Sequence, residues 1–304
     1  MELCILGQEK NESNLKLLEE AKKKFESVFF VPINSIGIGL NEKFSISYRT
    51  SNLLKFPAVF ARVPKSFYSH AYQLLSLFPP ETFMPLPPIS FLLASERFFL
   101  LTVLRKRGVS TLNTYLARSS IAASRILENT KFPLVIRVPS KETGMVVKSK
   151  LEARSIIDAL HSMQQPILLE ELIKNMVSVY VAEPEVIAAV KKTTKEKDVV
   201  FGKGEIKNHK IDVEIKQLAL DTAKAIDAKI LRVDIALNSE PKVVNVNLNP
   251  NLILPSKVSG VDIPKKIVES IHYNYDIHKG KPLILKFFDD AKSVVKDVLK
   301  TKDI

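Results

Sequence analysis

The chain has one cysteine, Cys4, no tryptophan and only nine glycines in 304 residues. A lone thiol excludes an intrachain disulfide and thiolate zinc chemistry, and its place in the apolar run Leu3 to Leu6 reads as a small core residue rather than a nucleophile. Glycine at roughly 3% lies well below the ~7% of an average chain, which matters because loops that bring backbone close to phosphate are usually built on glycine. The five histidines, His70, His161, His209, His272 and His278, lie far apart without metal-ligand spacing. No apolar run reaches the ~18–20 residues of a membrane span; the longest candidate, Ser90 to Leu104, is broken by Glu96 and Arg97. A basic leader followed by a long apolar stretch is also missing, since Gly7 ends the first apolar run, so the expected setting is the cytoplasm without membrane association.

What the chain does carry is positive charge, 45 basic against 33 acidic residues for a net +12. Such an excess favours an anionic partner: a nucleotide, an acidic peptide or protein, or RNA. A lysine-rich solvated surface accounts for it equally well. The clusters Lys22-Lys23-Lys24, Arg105-Lys106-Arg107 and Lys191-Lys192 are scattered and lack the interleaved aromatics of a single-strand nucleic-acid platform. With 46% hydrophobic residues the chain can bury a large core in two or three compact units, and its oligomeric state is left open.

Apolar strands are expected at Glu2 to Gly7, Val28 to Val31 and Ala58 to Val63, with a helix from Asn14 to Ser27 and a hairpin around Phe44 to Arg49. Alternating strand and helix predict a parallel sheet. The prolines at 79, 80, 85, 87 and 88 mark a boundary. Beyond it, Ser95 is the expected N-cap of a helix ending at Gly108. Strands follow at Leu134 to Val138, Ile167 to Leu169, Val177 to Val181 and Val186 to Val190, and helices at Lys150 to His161, Val213 to Ile226 and Asp262 to Tyr275. From Tyr275 onward an appended strand and a basic helix, Val294 to Lys300, are expected.

The most telling segments are Arg232-Val233-Asp234-Ile235-Ala236-Leu237 and Val243-Val244-Asn245-Val246-Asn247-Leu248-Asn249-Pro250. They read as adjacent strands joined by a turn at Asn238 to Pro241, and alternation places Asn245 and Asn247 on one face. Asp234, Asn245 and Asn247 then offer three oxygen-bearing side chains to a hard cation such as Mg²⁺. Only Asp234 is anionic, and the two asparagines serve equally well to satisfy backbone groups at strand ends.

Together with Phe132 to Arg137, Ile167 to Lys174 and Gly260 to Val268, these segments resemble in order and spacing an ATP-grasp domain of the RimK and LysX type, the carboxylate-amine ligases. The resemblance covers about two thirds of the chain. It implies an α/β and α+β architecture: a small parallel-sheet domain over 1–87, a two-subdomain ATP-grasp fold over 88–275, and an appended strand and helix over 276–304. It also implies ATP held between the subdomains with Mg²⁺ on its phosphates, and a reaction in which a carboxylate becomes an acyl phosphate that an amine attacks. Arg97 and Arg137 stand where the resemblance places two phosphate-binding lysines. Gly144 stands in the glycine-rich flap Ser140 to Val146, and Glu170, Glu171 and Leu172 at the adenine hinge. Asp234 and Asn247 match the metal positions, whereas Asn245 replaces a glutamate that would bridge two ions. Met176 and Ser178 stand where an acidic residue and an arginine are expected. Because these departures fall on chemistry-bearing positions while the apolar framework is intact, the expected function is an ATP-grasp pseudoenzyme that binds nucleotide or a partner. An active ATP-dependent ligase is the first alternative and an RNA-binding scaffold the second.

Overall fold

A computed structural model describes residues 1–40, 44–139, 143–173, 175–194, 204–237 and 240–280. The expected appended strand and helix beyond 280, the turn residues 238 and 239, Lys174 and flap residues 140–142 lie outside them.

The N-terminal unit starts with β1 (Glu2–Gly7), α1 (Glu12–Ala21) and β2 (Ser27–Pro32), and β6 (Ala58–Arg62) completes a parallel sheet of order β2-β1-β6. α1 begins where the Asn11 side chain accepts from Asn14 N and ends six residues before the expected Ser27, which already belongs to β2. The expected hairpin is a small antiparallel sheet of β3 (Gly37–Leu40), β4 (Phe44–Tyr48) and β5 (Ser51–Asn52). α2 (Tyr68–Leu75) leads into the proline-rich stretch.

The helix expected from Ser95 is α4 (Arg97–Lys106), and a further helix, α3 (Pro88–Ser95), precedes it. Glu96 separates them in extended conformation, and its carboxylate accepts from Phe98 N and Phe99 N at 2.9 and 2.7 Å. A carboxylate there satisfies two orphan N–H groups and faces the positive end of the helix dipole, so Glu96 rather than Ser95 is the cap. Gly108 closes α4 at φ +82°, a conformation in which a Cβ is strained.

Next comes a four-stranded antiparallel sheet of order β7-β10-β8-β9, from β7 (Thr114–Ala117), β8 (Leu134–Arg137), β9 (Met145–Val147) and β10 (Ile167–Glu171). α5 (Ser120–Glu128) and α6 (Lys150–Ser162) pack on it. A five-stranded antiparallel sheet follows, of order β13-β12-β11-β14-β15. Its strands are β11 (Met176–Ala182), β12 (Glu185–Thr194), β13 (Gly204–Asn208), β14 (Ile230–Leu237) and β15 (Pro241–Asn247), with α7 (Val213–Ala225) crossing between β13 and β14. α8 (Ile253–Ser259) and α9 (Ile263–Gly280) end the described chain. Residues 276–280, expected to open a strand, are the last turn of α9.

One apolar core runs from the parallel sheet (Leu6, Phe60) through α2 and α3 (Leu74, Phe91) to the five-stranded sheet (Val179, Val233) and α9 (Ile267). The four-stranded sheet has its own smaller core, including Leu134, Ile136, Ile157 and Leu169. Each such side chain, fully buried, contributes about 1.5–3 kcal/mol. A third group, Leu112, Ile173, Ala236 and Val244, lies where the two larger sheets meet. There the loop after α4 hydrogen-bonds to β15, with Leu112 N donating to Val243 O and Val243 N to Ser110 O. The four-stranded sheet is thereby tied beside the polar face of the five-stranded one.

Candidate functional site

Strand register builds the site. Ser178 of β11, Asp234 of β14 and Asn245 of β15 are direct cross-strand partners, and the adjacent row is Tyr180, Arg232 and Asn247. Directly opposed residues share a face and alternate residues along a strand return to it, so these six side chains occupy one face. The structure thus brings Asp234, Asn245 and Asn247 together, as expected.

Arg232 was not among the expected site residues, yet the face is organised around it. Its Nη2 donates to Asp234 Oδ2 at 2.8 Å, while Ser178 Oγ donates to Oδ1 at 2.6 Å. Both carboxylate oxygens are therefore engaged by donors of the chain. Asp234 is buried, and Arg232 is about one quarter exposed. Burial acts to lower the Arg232 pKa, but Asp234 and Tyr180 outweigh it and hold the guanidinium above its ordinary value. Tyr180, hydrogen-bonded to Arg232, is pushed up to about 12, chiefly by burial. The i, i+2 spacing of Arg232 and Asp234 on a strand is the signal that could have revealed the pair.

A resident Mg²⁺ pair does not fit this donor set. Among the described residues no three His, Cys, Asp or Glu side chains are grouped to hold a metal. Asn247 Oδ1 is occupied by Asn249 N at 2.8 Å, the strand-end role open to it from sequence. Asn245 presents a neutral amide, which bridges two dications poorly.

The two arginines expected at phosphate converge, but on a carboxylate of the chain. Arg97, at the start of α4, and Arg137, at the end of β8, both meet Glu170 of β10, with Nε to Oε1 at 2.5 Å and Nε to Oε2 at 3.0 Å respectively. All three are buried. The contact is an ion pair by distance, although the Arg137 Nε–H is not aligned on the carboxylate oxygen. Glu170 lies 73 positions from Arg97, and no local pattern announces the pairing. Glu171 instead ties the sheets together: its Oε1 accepts from Asn113 N and Lys242 Nζ, each at 3.1 Å. Leu172 is half-buried at the end of β10. At Gly144 a Cβ would lie 2.9 Å from Ile136 O and Val135 Cγ1, so close packing on β8 accounts for that glycine without a ligand.

Behind the face, the N-terminal unit grips the loop that leaves β15. Arg62, fully buried at the C-terminal edge of the parallel sheet, donates to Asn14 Oδ1 at 2.9 Å and Pro250 O at 3.0 Å. Burial lowers its pKa to about 10 against the opposing effect of Tyr68 and Tyr180. Tyr68 OH accepts from Leu248 N and Ser13 Oγ from Leu252 N.

This architecture has close counterparts. Two curated relatives are 26% identical: a probable alpha-L-glutamate ligase of Thioalkalivibrio sulfidiphilus (strain HL-EbGR7), aligned over 92% of this chain and 98% of that protein, and the ribosomal protein bS6--L-glutamate ligase of Escherichia coli O81 (strain ED1a), over 75% and 80%. In three dimensions the chain is similar to the ATP-grasp ligase PsnB complexed with a minimal precursor, at TM-score 0.69 and 16% identity over 89% of this chain and 97% of PsnB. The macrocyclase MdnC of Microcystis aeruginosa MRC, bound with precursor peptide MdnA, gives 0.67 and 13% over 90% and 100%. Residues 94–271, the stretch that builds the two larger antiparallel sheets and their helices, match the RimK-like ATP-grasp domain, and the chain belongs to that family.

Proposed function

We propose that this chain is a nucleotide-binding ATP-grasp protein with weakened or lost ligase turnover, acting as an interaction module for a peptide or protein. The observation that carries this reading is the double engagement of Asp234, the one carboxylate of its face, by Arg232 and Ser178. Acyl-phosphate chemistry depends on cations that neutralise charge developing on the transferred phosphoryl group, and a carboxylate already neutralised by an arginine recruits them poorly. Nucleotide binding is supported from the neighbouring sheet, where the guanidiniums of Arg97 and Arg137 converge on Glu170. The hinge segment also adjoins an apolar group containing Ile173 and Ala236, a surface suited to a base. Relatives named for ligases of glutamate, and solved neighbours complexed with precursor peptides, support a peptide or protein partner, and the +12 charge favours an acidic one. A reducing cytoplasmic setting fits the single buried thiol.

Incubation with Mg·ATP, mixed amino acids and a glutamate-rich peptide tests the reading by ADP release. The expected outcome is release at the rate of a protein-free control. Sustained, acceptor-dependent release would establish the active ligase instead, the reading favoured by the near full-length match to named ligases.

A further inference from the structure

We infer that Arg232 takes the place of the divalent cation on this face: it excludes metal from Asp234 and supplies a fixed positive charge for a nucleoside triphosphate, so that the anion binds without Mg²⁺. The inference rests on the nucleotide-binding reading above and assigns how that site holds charge. Compared with a face carrying carboxylates at both 234 and 245, this one has one negative charge fewer at Asn245, and Arg232 pairs with the carboxylate that remains. These positions lie in adjacent rows of the same strands. A Mg²⁺ ion needs oxygen ligands at ~2.0–2.1 Å. At Asp234 Oδ2 it would have to displace, or stand against, a guanidinium nitrogen 2.8 Å away, and at Oδ1 a hydroxyl donor 2.6 Å away.

The guanidinium has N–H groups to spare. It carries five, of which Asp234 and Tyr180 engage some, and the buried Nε has no hydrogen-bond partner among the described residues. The side chain is about one quarter exposed, so it is not sealed from a ligand. An arginine fork matches phosphate oxygens with two parallel bonds, which a lysine at the same place does not. Nearby, Arg62 Nη1 is a second buried guanidinium nitrogen without a hydrogen-bond partner among the described residues, and Tyr180 feels both arginines.

The test uses the full chain and two probes. In calorimetric titrations, ATP is expected to bind with the same Kd, within about twofold, in excess EDTA and in excess Mg²⁺. Arg232→Gln is expected to weaken binding in EDTA about tenfold or more, with Arg232→Lys recovering part of the loss. In electron paramagnetic resonance with Mn²⁺ alone, wild type is expected to leave the ion free, and the double variant Arg232→Ala/Asn245→Glu to bind it. Tightening of ATP by Mg²⁺ of tenfold or more, unchanged binding by a folded Arg232→Gln, or stoichiometric Mn²⁺ on wild type would overturn the inference. If ATP binds in neither buffer, the nucleotide reading fails and the charge-supplying role with it, while the Mn²⁺ arm still decides whether Arg232 keeps metal out. Should Arg232→Gln not fold, the wild-type comparison and Arg232→Lys decide the ATP arm.

Discussion

The two larger antiparallel sheets solve the same electrostatic problem differently. On the four-stranded sheet two arginines share one carboxylate, Glu170, all buried above a small private core. On the five-stranded sheet one arginine meets one carboxylate, Asp234, in a partly exposed pair backed by the large core shared with the N-terminal unit. The first gathers two guanidiniums on one carboxylate; the second is an arginine–carboxylate pair whose charges balance, with a guanidinium Nε that has no hydrogen-bond partner among the described residues. A neutral pair has little left with which to draw a dication. The apolar framework is therefore that of the family while the charges of the face around Asp234 are satisfied from within.

The largest break in this comparison should come at Glu170. Glu170→Ala leaves two buried guanidiniums facing each other and is expected to cost about 3–5 kcal/mol, read as a fall in urea midpoint. Midpoints unchanged from wild type would mean that the arginines find solvent or other partners. Tyr68→Phe removes the acceptor for Leu248 N and should cost about 1–3 kcal/mol, because a buried N–H is left unsatisfied. That loss would show how far the N-terminal unit stabilises the loop after β15.

Smaller in size is the effect of shaving the private core. Ile157→Val is expected to cost about 0.5–1.5 kcal/mol. In hydrogen exchange the loss of protection should be confined to β8 and β10, leaving β11 and β14 as slow as in wild type, since the two cores are separate. Uniform loss across both sheets would show a single cooperative unit. Smallest of all is the effect of pH on Cys4. Burial raises its thiol pKa to about 12, so the native state favours the protonated form. This contribution is fully present below the ordinary thiol range and is lost as pH rises from there through about 12. Alkylation of the folded chain at pH 8 should be negligible and should become complete on unfolding in urea.

Much of the framework was legible because it rests on local pattern. The apolar runs at Leu3 to Leu6 and Ala58 to Ala61 became the paired strands β1 and β6, and the apolar spacing of Val213 to Ile226 became α7 within one residue. Where two neighbouring side chains can play one role, the pattern was ambiguous: Ser95 and Glu96 both suit an N-cap, and only the geometry shows which carboxylate or hydroxyl reaches the free N–H groups. α5 escaped notice, although Ser119 caps it and Ala123 and Leu127 bury its inner face.

At the site, side chains on paired strands were foreseeable from alternation, which brought Asp234, Asn245 and Asn247 onto one face. Partners distant in sequence were not. Arg97 and Glu170 meet only because α4 and β10 are folded together, and Arg137 joins them because β8 pairs with β10. Arg232 was visible as a residue but not as a partner, because its role follows from the Asp234 oxygen that it fills.

The claim that the metal face is neutralised by its own arginine is tested most directly by a double-mutant cycle on chemical stability, combining Arg232→Gln with Asp234→Asn. A coupling of about 1 kcal/mol or more is expected, because the two groups share a charge-assisted hydrogen bond in a largely buried setting. Strict additivity, with the double variant losing the sum of the single losses, would contradict it.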